Sequence, residues 1–150
     1  MPLRALLLMS LATLTSVAEE AASASTFSRR SGDRALVRGT GKVTWRTFNQ
    51  ALFDDAVRTN RPIFMFLTAP WSQRGAAMER TTFRDQAVAM WLNEEFLSVR
   101  INRDERPELD LRMQQATQGL SGVQGLPLTL VLTPQGRVFF AGTYFPIDDD

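Results

Sequence analysis

The sequence predicts an α/β fold in which helices cover both faces of a mixed central sheet. All-apolar runs such as IFMFL (63–67) are typical of strands buried on both sides of a sheet. Stretches with apolar residues at helical spacing separate these runs, and only the turn PQGR (134–137) separates the last two. Strands that alternate with helices and end in a hairpin indicate one sheet with both parallel and antiparallel neighbours.

The first predicted helix spans 44–58 and ends at Asn60-Arg61-Pro62, before the strand at 63–67. Its apolar stripe consists of Trp45, Phe48, Leu52 and Ala56. A loop at 68–74 then leads into a short helix at about 75–81.

Asp85 is the predicted N-cap of the next helix, whose apolar stripe contains Val88, Trp91 and Leu92. The alternating pattern at 96–101 predicts a strand, and Pro107 is expected in the first turn of the helix that follows. That helix is expected to present Leu109, Met113, Ala116 and Leu120 on one side. After a glycine-rich loop at 119–127, the segments 128–133 and 138–142 form the predicted hairpin.

The segment after the hairpin is too short for another helix. Only TYFPIDDD (143–150) follows, and 147–150 is predicted to be an acidic tail. A sheet face without a covering helix leaves apolar area in water at a cost of about 25 cal/mol per Å². We therefore expect the N-terminal arm, the tail, a second copy, a partner or further residues to cover it, and self-association is one expected result.

The N-terminal residues predict export. Met1 to Arg4 gives a short positive start, residues 5–18 are apolar, and Ser16-Val17-Ala18 fits a cleavage site before Glu19. Residues 1–18 are therefore a predicted signal peptide, and the protein is expected outside the cytoplasm or in the secretory-pathway lumen. An uncleaved anchor is the alternative, although this apolar stretch is short for a membrane span. Residues 19–42, rich in Ala, Ser, Gly and Arg, are predicted to form a flexible basic arm.

Composition and charge bound the function of this chain. Its 150 residues give room for one modest domain, with 44% hydrophobic and 22% charged residues. The formal net charge is +1, but from Val43 onward eleven arginines face thirteen acids. A net of −2 in the folded part argues against a nucleic-acid-binding surface.

The chain has no cysteine and no histidine, and this restricts its chemistry more than any other feature. Dithiol exchange, thiolate nucleophiles, imidazole bases and ordinary zinc sites are excluded. The acidic residues between 102 and 110 alternate with arginines, which indicates salt-bridged surface rather than a metal site. We expect no cofactor, no metal and no enzymatic activity.

Several stretches together resemble the thioredoxin-like domain of the spermatogenesis-associated protein 20 family. They are VTWRTFNQALFDDAVRTNRPIF (43–64), MERTTFRDQAVAMWLNEEF (78–96), INRDERPELD (101–110) and GLPLTLVLTPQGRVFFAGTYFP (125–146). The resemblance implies a thioredoxin-like fold over 43–146, without the helix that normally closes it. In that family Cys-His-x-Cys-His precedes Met-Glu-Arg. The two cysteine positions correspond to Ser72 and Gly75, and the histidine positions to Gln73 and Ala76.

Because both cysteine positions are lost, we expect a redox-inactive domain whose remaining work is to bind a protein or an extended peptide. Leu126-Pro127 occupies the position where thioredoxin folds place a cis proline facing the loop. The candidate partner-binding residues are Trp71, Ser72, Gln73, Arg74, Gly75, Leu126 and Pro127. The alternative roles are a helix cap for Ser72 and a half-buried, gap-filling position for Trp71.

Two other readings of the whole chain stay open. Family members usually continue into a large helical barrel that resembles sugar epimerases. The chain is then the N-terminal portion of a two-domain protein, and the barrel carries the chemistry. A remnant without function is the third reading.

Overall fold

The structure, a computed structural model, describes residues 41–147. The predicted signal peptide (1–18), all but the last two residues of the predicted arm (19–42) and the last three residues of the predicted acidic tail (147–150) lie outside the described residues. No helix within 41–147 is long and apolar enough to span a membrane.

The described residues form five strands, four helices and one 3-10 turn, and from the first helix onward they follow the predicted order. The strands are β1 (Trp45–Arg46), β2 (Ile63–Thr68), β3 (Leu97–Asn102), β4 (Leu128–Leu132) and β5 (Val138–Gly142). The helices are α1 (Gln50–Thr59), α2 (Gln73–Arg80), α3 (Gln86–Glu95) and α4 (Pro107–Ser121), and the 3-10 turn is Thr82–Arg84.

The strands form one mixed sheet in the order β1-β3-β2-β4-β5. β3 runs parallel to both β1 and β2, whereas β4 is antiparallel to β2 and to β5. The predicted mixed sheet is therefore confirmed. Its register places Leu67 opposite Leu128, so the chain leaving β2 and the chain entering β4 lie side by side at one end of the sheet.

The first predicted helix is wrong in its N-terminal part. Trp45 belongs to β1 and pairs with Ser98, and the Asn49 side chain caps α1 by accepting a hydrogen bond from the Leu52 amide at 3.1 Å. Trp45 and Phe48 pack on opposite faces of the sheet, which a single helical stripe does not allow. Their separation matches helical periodicity only by coincidence.

The predicted stripe of α4 is half correct. Leu109 and Met113 are buried, but Ala116 is exposed and Leu120 is 49% exposed. Thr117 completes the buried stripe instead. Its hydroxyl lies within hydrogen-bonding distance of the Gln114 and Val123 carbonyl oxygens, at 3.0 Å each, so burial leaves this polar group satisfied.

Other element boundaries moved by a few residues. α2 begins at Gln73, two residues before the prediction, because Ser72 is its N-cap. α4 runs to Ser121, into the predicted loop, and ends where Gly122 adopts a φ of 70°. Asp85 caps α3 and Pro107 opens α4, and both predictions are confirmed.

The sheet buries different side chains on its two faces. The aliphatic face packs under α1 and α4, and its buried residues are Leu52, Ala56, Ile63, Met65, Leu67, Leu97, Val99, Ile101, Leu109, Met113, Leu128, Leu130 and Leu132. The aromatic face packs under α2 and α3, and its buried residues are Val43, Phe64, Phe66, Met78, Phe83, Val88, Ala89, Leu92, Phe96 and Phe145.

Within 41–147 no helix follows β5, and residues 143–147 pack on the aromatic face instead. Phe145 is 9% exposed. Its amide donates to Met78 Sδ at 3.5 Å, and its carbonyl accepts from Thr82 Oγ1 at 3.0 Å. Residues 143–147 therefore supply part of the cover of this face, and of these only Ile147 belongs to the predicted tail.

Candidate functional site

The candidate residues lie on two neighbouring loops at one end of the sheet. Residues 69–72 form the β2–α2 loop, and residues 122–127 form the α4–β4 loop. The register between β2 and β4 brings them together. The Leu126–Pro127 peptide bond is cis, as the resemblance implied.

Ser72 serves as the N-cap of α2. Its side-chain oxygen accepts a hydrogen bond from the Gly75 amide at 3.1 Å, and the residue is 6% exposed. Its carbonyl accepts from the Ala76 amide at 2.9 Å, which starts the helix. A buried hydroxyl that satisfies the helix end supplies neither an accessible nucleophile nor an anion. The interpretation of Ser72 as a cap is confirmed.

Gly75 occupies a position that has no room for a side chain. A Cβ atom built there would lie 2.0 Å from Thr68 Oγ1 and 3.0 Å from Ser72 Oγ. Thr68 is 8% exposed, and its hydroxyl has no hydrogen-bond partner among the described residues. The second family cysteine position is therefore filled by the close approach of α2 to the end of β2. A thiol at residue 75 would require Thr68 to move.

Trp71 is the most exposed large apolar side chain described within 41–147, at 63%. It does not fill a gap in the loop, so the half-buried alternative is wrong. The Arg103 guanidinium carbon lies 5.8 Å from the Trp71 ring centroid, a distance that permits a cation–π contact. Trp71 therefore projects outward with one neighbouring cation.

Gln73 and Arg74 are exposed on the first turn of α2. The Arg74 guanidinium carbon lies 5.8 Å from the ring centroid of Tyr144, in the segment after β5. Two arginine–aromatic pairs thus lie near the N-terminus of α2, one with Trp71 and one with Tyr144. Their chemistry suits a ligand that brings apolar surface together with carbonyl or carboxylate oxygens.

Sequence reasoning missed three residues that connect the two loops. Arg103 Nη2 lies 2.8 Å from Asp110 Oδ2, and the Gln114 side chain exchanges two hydrogen bonds with the Gly125 backbone. Asp110 is 4% exposed. A signal was present in the sequence, because Asp110 adjoins Leu109 and precedes Met113 by three residues on the buried side of α4.

The remaining charges around 102–110 behave as surface charges. Glu108 is hydrogen-bonded to Arg106, which holds the pKa of Glu108 below its usual value. Within 41–147 no three acidic side chains are grouped as a metal site would require. The prediction of salt-bridged structure is confirmed for Arg106 and Glu108, whereas Asp110 is buried rather than solvated.

Comparisons with solved structures support the fold. A structure titled DsbH Oxidoreductase matches with a TM-score of 0.60 at 14% identity, covering 85% of this chain and 88% of that one. The solution structure of a putative disulphide-isomerase from Bacteroides thetaiotaomicron matches with a TM-score of 0.55 at 17% identity, covering 73% and 84%. Similarity at this identity shows the thioredoxin-like fold alone.

Sequence comparisons identify the family. Human spermatogenesis-associated protein 20 is 36% identical over 110 residues, which cover 71% of this chain and 14% of that protein. An uncharacterized protein of Caenorhabditis elegans is 32% identical over 133 residues, which cover 84% and 18%. The chain thus matches less than a fifth of the length of these relatives. The Thioredox_DsbH family model, described as "Protein of unknown function, DUF255", matches residues 34–150. The chain therefore belongs to this thioredoxin-like family and carries none of the cysteines on which dithiol chemistry depends.

Proposed function

We propose that the chain is a redox-inactive thioredoxin-like module that binds an extended peptide or a partner protein. The binding surface comprises residues 71–75 together with the Leu126–Pro127 backbone. The observation that carries the proposal is the exposure of Trp71, 63%, beside a helix end that Ser72 has already capped.

The exposed indole supports a binding role on energetic grounds. When a partner covers a large aromatic side chain that is exposed to water, the free energy of the system falls. Tryptophan is also enriched among the residues that dominate interfaces. Ser72 and Gly75 are buried in the local packing, so they support the loop rather than face a ligand. Trp71, Gln73 and Arg74 are the side chains available for contact.

The adjacent α4–β4 loop supports recognition of an extended segment. Pairing between β2 and β4 begins at Leu128, and within 41–147 the backbone hydrogen bonds outside regular elements include none from Leu126. A peptide lying beside Leu126 can therefore add main-chain hydrogen bonds, while Trp71 receives one of its side chains.

Peptide selection followed by mapping tests this proposal. The full chain is used to select dodecapeptides from a random library, and the strongest binder is titrated into ¹⁵N-labelled protein. We expect amide shifts concentrated at residues 71–75 and 125–128. Trp71→Ala should weaken binding at least about tenfold, as for a central aromatic anchor.

Phe139→Ala is the matched control, because Phe139 is 44% exposed on β5. Its removal should leave the affinity unchanged. Equal affinities for wild type and Trp71→Ala, or shifts that avoid both loops, would contradict the proposed surface.

The second candidate function is docking against a further domain of the same polypeptide. The observation that favours it is the match to only 14% and 18% of two relatives. In that arrangement the additional domain, implied by the resemblance to be a sugar-acting helical barrel, carries the chemistry. An in-frame barrel-coding segment downstream of Asp150 would support this candidate, and a stop codon there would contradict it.

Export is proposed from the N-terminal pattern alone. The protein recovered from the exported fraction should begin at Glu19 when its N-terminus is sequenced. A mature protein that retains residues 1–18 would contradict cleavage, and its recovery only from the cytoplasm would contradict export.

Self-association through the aromatic face also stays a prediction. Val131 and Phe140 on this face are only partly buried, although residues 143–147 cover their neighbours. Sedimentation equilibrium should show a concentration-dependent mass. A single monomer mass at all concentrations would show that the face needs no second copy.

A further inference from the structure

A buried carboxylate on α4 lies between the two loops of the candidate site. Asp110 Oδ2 pairs with Arg103 Nη2 at 2.8 Å, and Asp110 Oδ1 accepts a hydrogen bond from Gln114 Nε2 at 3.2 Å. The Asp110 side chain is only 6% exposed, whereas that of Arg103 is 38% exposed. Both carboxylate oxygens are therefore engaged, each toward a different part of the molecule.

Through Oδ2, Asp110 is linked to the β2–α2 loop. The guanidinium that pairs with Asp110 lies 5.8 Å from the Trp71 ring centroid, and the Arg103 amide donates to the Thr68 carbonyl at 2.9 Å. The backbone hydrogen bond positions the main chain of Arg103, and the ion pair positions its guanidinium group. Asp110 thereby holds a cation beside an indole that is 63% exposed.

Through Oδ1, Asp110 is linked to the α4–β4 loop. Gln114 Nε2 also donates to the Gly125 carbonyl at 3.1 Å, and Gln114 Oε1 accepts from the Gly125 amide at 3.1 Å. Gly125 has a φ of 107°, which favours glycine, and it immediately precedes Leu126. Gln114 thus holds the backbone at the entrance to the Leu126–Pro127 segment, and Asp110 orients the Gln114 amide.

We infer that Asp110 is a positioning residue that fixes the two edges of the peptide-binding surface relative to each other. The inference rests on the proposed function for its use, but the coupling itself is a property of the folded chain. A charged pair of which one member is buried holds its geometry more strongly than a solvated pair does. Prearranging both loops reduces the ordering cost when an extended peptide binds.

Asp110→Asn tests the inference because it keeps the shape of the side chain and removes its charge. We expect the NOE contacts between Arg103 and the Trp71 ring to disappear. The Gly125 amide should also exchange with solvent about tenfold faster, because its hydrogen bond to Gln114 opens more often. Asp104→Asn is the matched control, since Asp104 is exposed on the loop before α4 and undergoes the same charge change. The NOE contacts between Arg103 and Trp71 and the exchange rate of the Gly125 amide in Asp104→Asn should equal those of wild type.

Arg103→Met provides an independent measurement should Asp110→Asn fail to fold. Removing this cation leaves the carboxylate unpaired, so the exchange of Gly125, on the other loop, should still accelerate. Arg112→Met is its control, because Arg112 is an exposed arginine of α4 outside the described ion pairs. Unchanged Gly125 exchange in Arg103→Met, or an Asp110→Asn protein in which either loop keeps its wild-type behaviour, would overturn the inference.

The selected dodecapeptide connects the coupling to binding. Its affinity should fall at least about tenfold in Asp110→Asn, as for a lost interface anchor, and should be unchanged in Asp104→Asn. If no peptide binds wild type, the proposed function fails, and the NMR measurements still decide the coupling. If the coupling is present but Asp110→Asn binds the peptide normally, the positioning role is wrong while the binding function stands.

Discussion

The two faces of the sheet are closed in different ways. The aliphatic face lies under α1 and α4, two helices that bury Leu, Ala and Met side chains against the strands. The aromatic face lies under α2 and α3, and residues 143–147 add to its cover through a few specific contacts. A helix distributes its contacts over several turns, whereas an irregular segment concentrates them in single side chains. The aromatic face should therefore be the more sensitive of the two to single substitutions.

Phe145→Ala should have the largest effect. Phe145 is 9% exposed, and its ring lies against Gly142 and near Phe140. Its removal leaves a cavity and releases the cover of the aromatic face, so the free energy of unfolding should fall by about 3–5 kcal/mol. Urea unfolding monitored by circular dichroism measures the change.

Phe139→Ala is the control, because this neighbouring aromatic is 44% exposed. It should change the free energy of unfolding by less than about 1 kcal/mol, as surface substitutions usually do. Similar losses for both variants would show that residues 143–147 contribute no specific cover.

Gly142→Ala should destabilise the same contact from the opposite side. A Cβ atom at Gly142 would lie 2.3 Å from Cζ of Phe145, so the ring must shift. Overpacking of this kind costs about 1–3 kcal/mol. Gly119→Ala is the matched substitution in α4, where nothing lies within 4 Å of the added atom. It should stabilise the protein by roughly 0.5–1 kcal/mol through helix propensity.

The free energy of unfolding should therefore fall in Gly142→Ala, on the strand beside the aromatic face, and rise in Gly119→Ala, on the helix over the aliphatic face. Thermal or urea unfolding of both proteins gives the two values directly. A stabilising Gly142→Ala would mean that the Phe145 ring is not held against β5, and the aromatic face would then lack the contact attributed to it.

The sequence predicted what depends on local pattern. The all-apolar run at 63–67, the cap at Asp85 and the turn at 134–137 each need only a few adjacent residues for recognition, and the structure has all three. The folding of residues 143–147 over the aromatic face depends on contacts between Phe145 and residues more than sixty positions away. No local period encodes such a contact.

The candidate site shows the same division. The resemblance placed the loop residues and the cis proline, and the cap at Ser72 follows from its residue type. Charge spacing predicts a solvated, salt-bridged position for Asp110, because its neighbours alternate in sign. Burial of one member of such a cluster depends on the orientation of α4 against the sheet, which charge spacing does not determine. The helix predicted at Trp45 is wrong for a similar reason. Apolar residues three positions apart fit both one face of a helix and an extended segment whose side chains point to opposite faces of a sheet.

Thr82→Val isolates one hydrogen bond of the aromatic face. Thr82 is fully buried, and its hydroxyl donates to the Phe145 carbonyl at 3.0 Å. Valine keeps the shape but leaves that carbonyl without this donor, which should cost about 1–2 kcal/mol. Thr81→Val is the control, because the Thr81 hydroxyl makes an exposed bond to the Ala77 carbonyl at 2.9 Å. A loss no greater than that of Thr81→Val would assign the cover to Phe145 packing alone.

The smallest effect is expected from an ion-pair cluster at the surface of α1, the helix over the aliphatic face. Asp55 accepts hydrogen bonds from Arg58 and from Arg46 of β1, and these hold its pKa below the usual 3.8. Because the folded pKa is lowered, the contribution of Asp55 is complete above pH 3.8 and is lost as the pH falls through the folded pKa. Wild type and Asp55→Asn should therefore differ by a small, constant amount near neutral pH, and the difference should shrink in acid. Salt should reduce it as well, since the pairs are solvated.

A difference that grows below pH 3.8 would contradict the lowered pKa. A difference as large as that of Phe145→Ala would mean that surface charge, rather than helix packing, secures this side of the sheet.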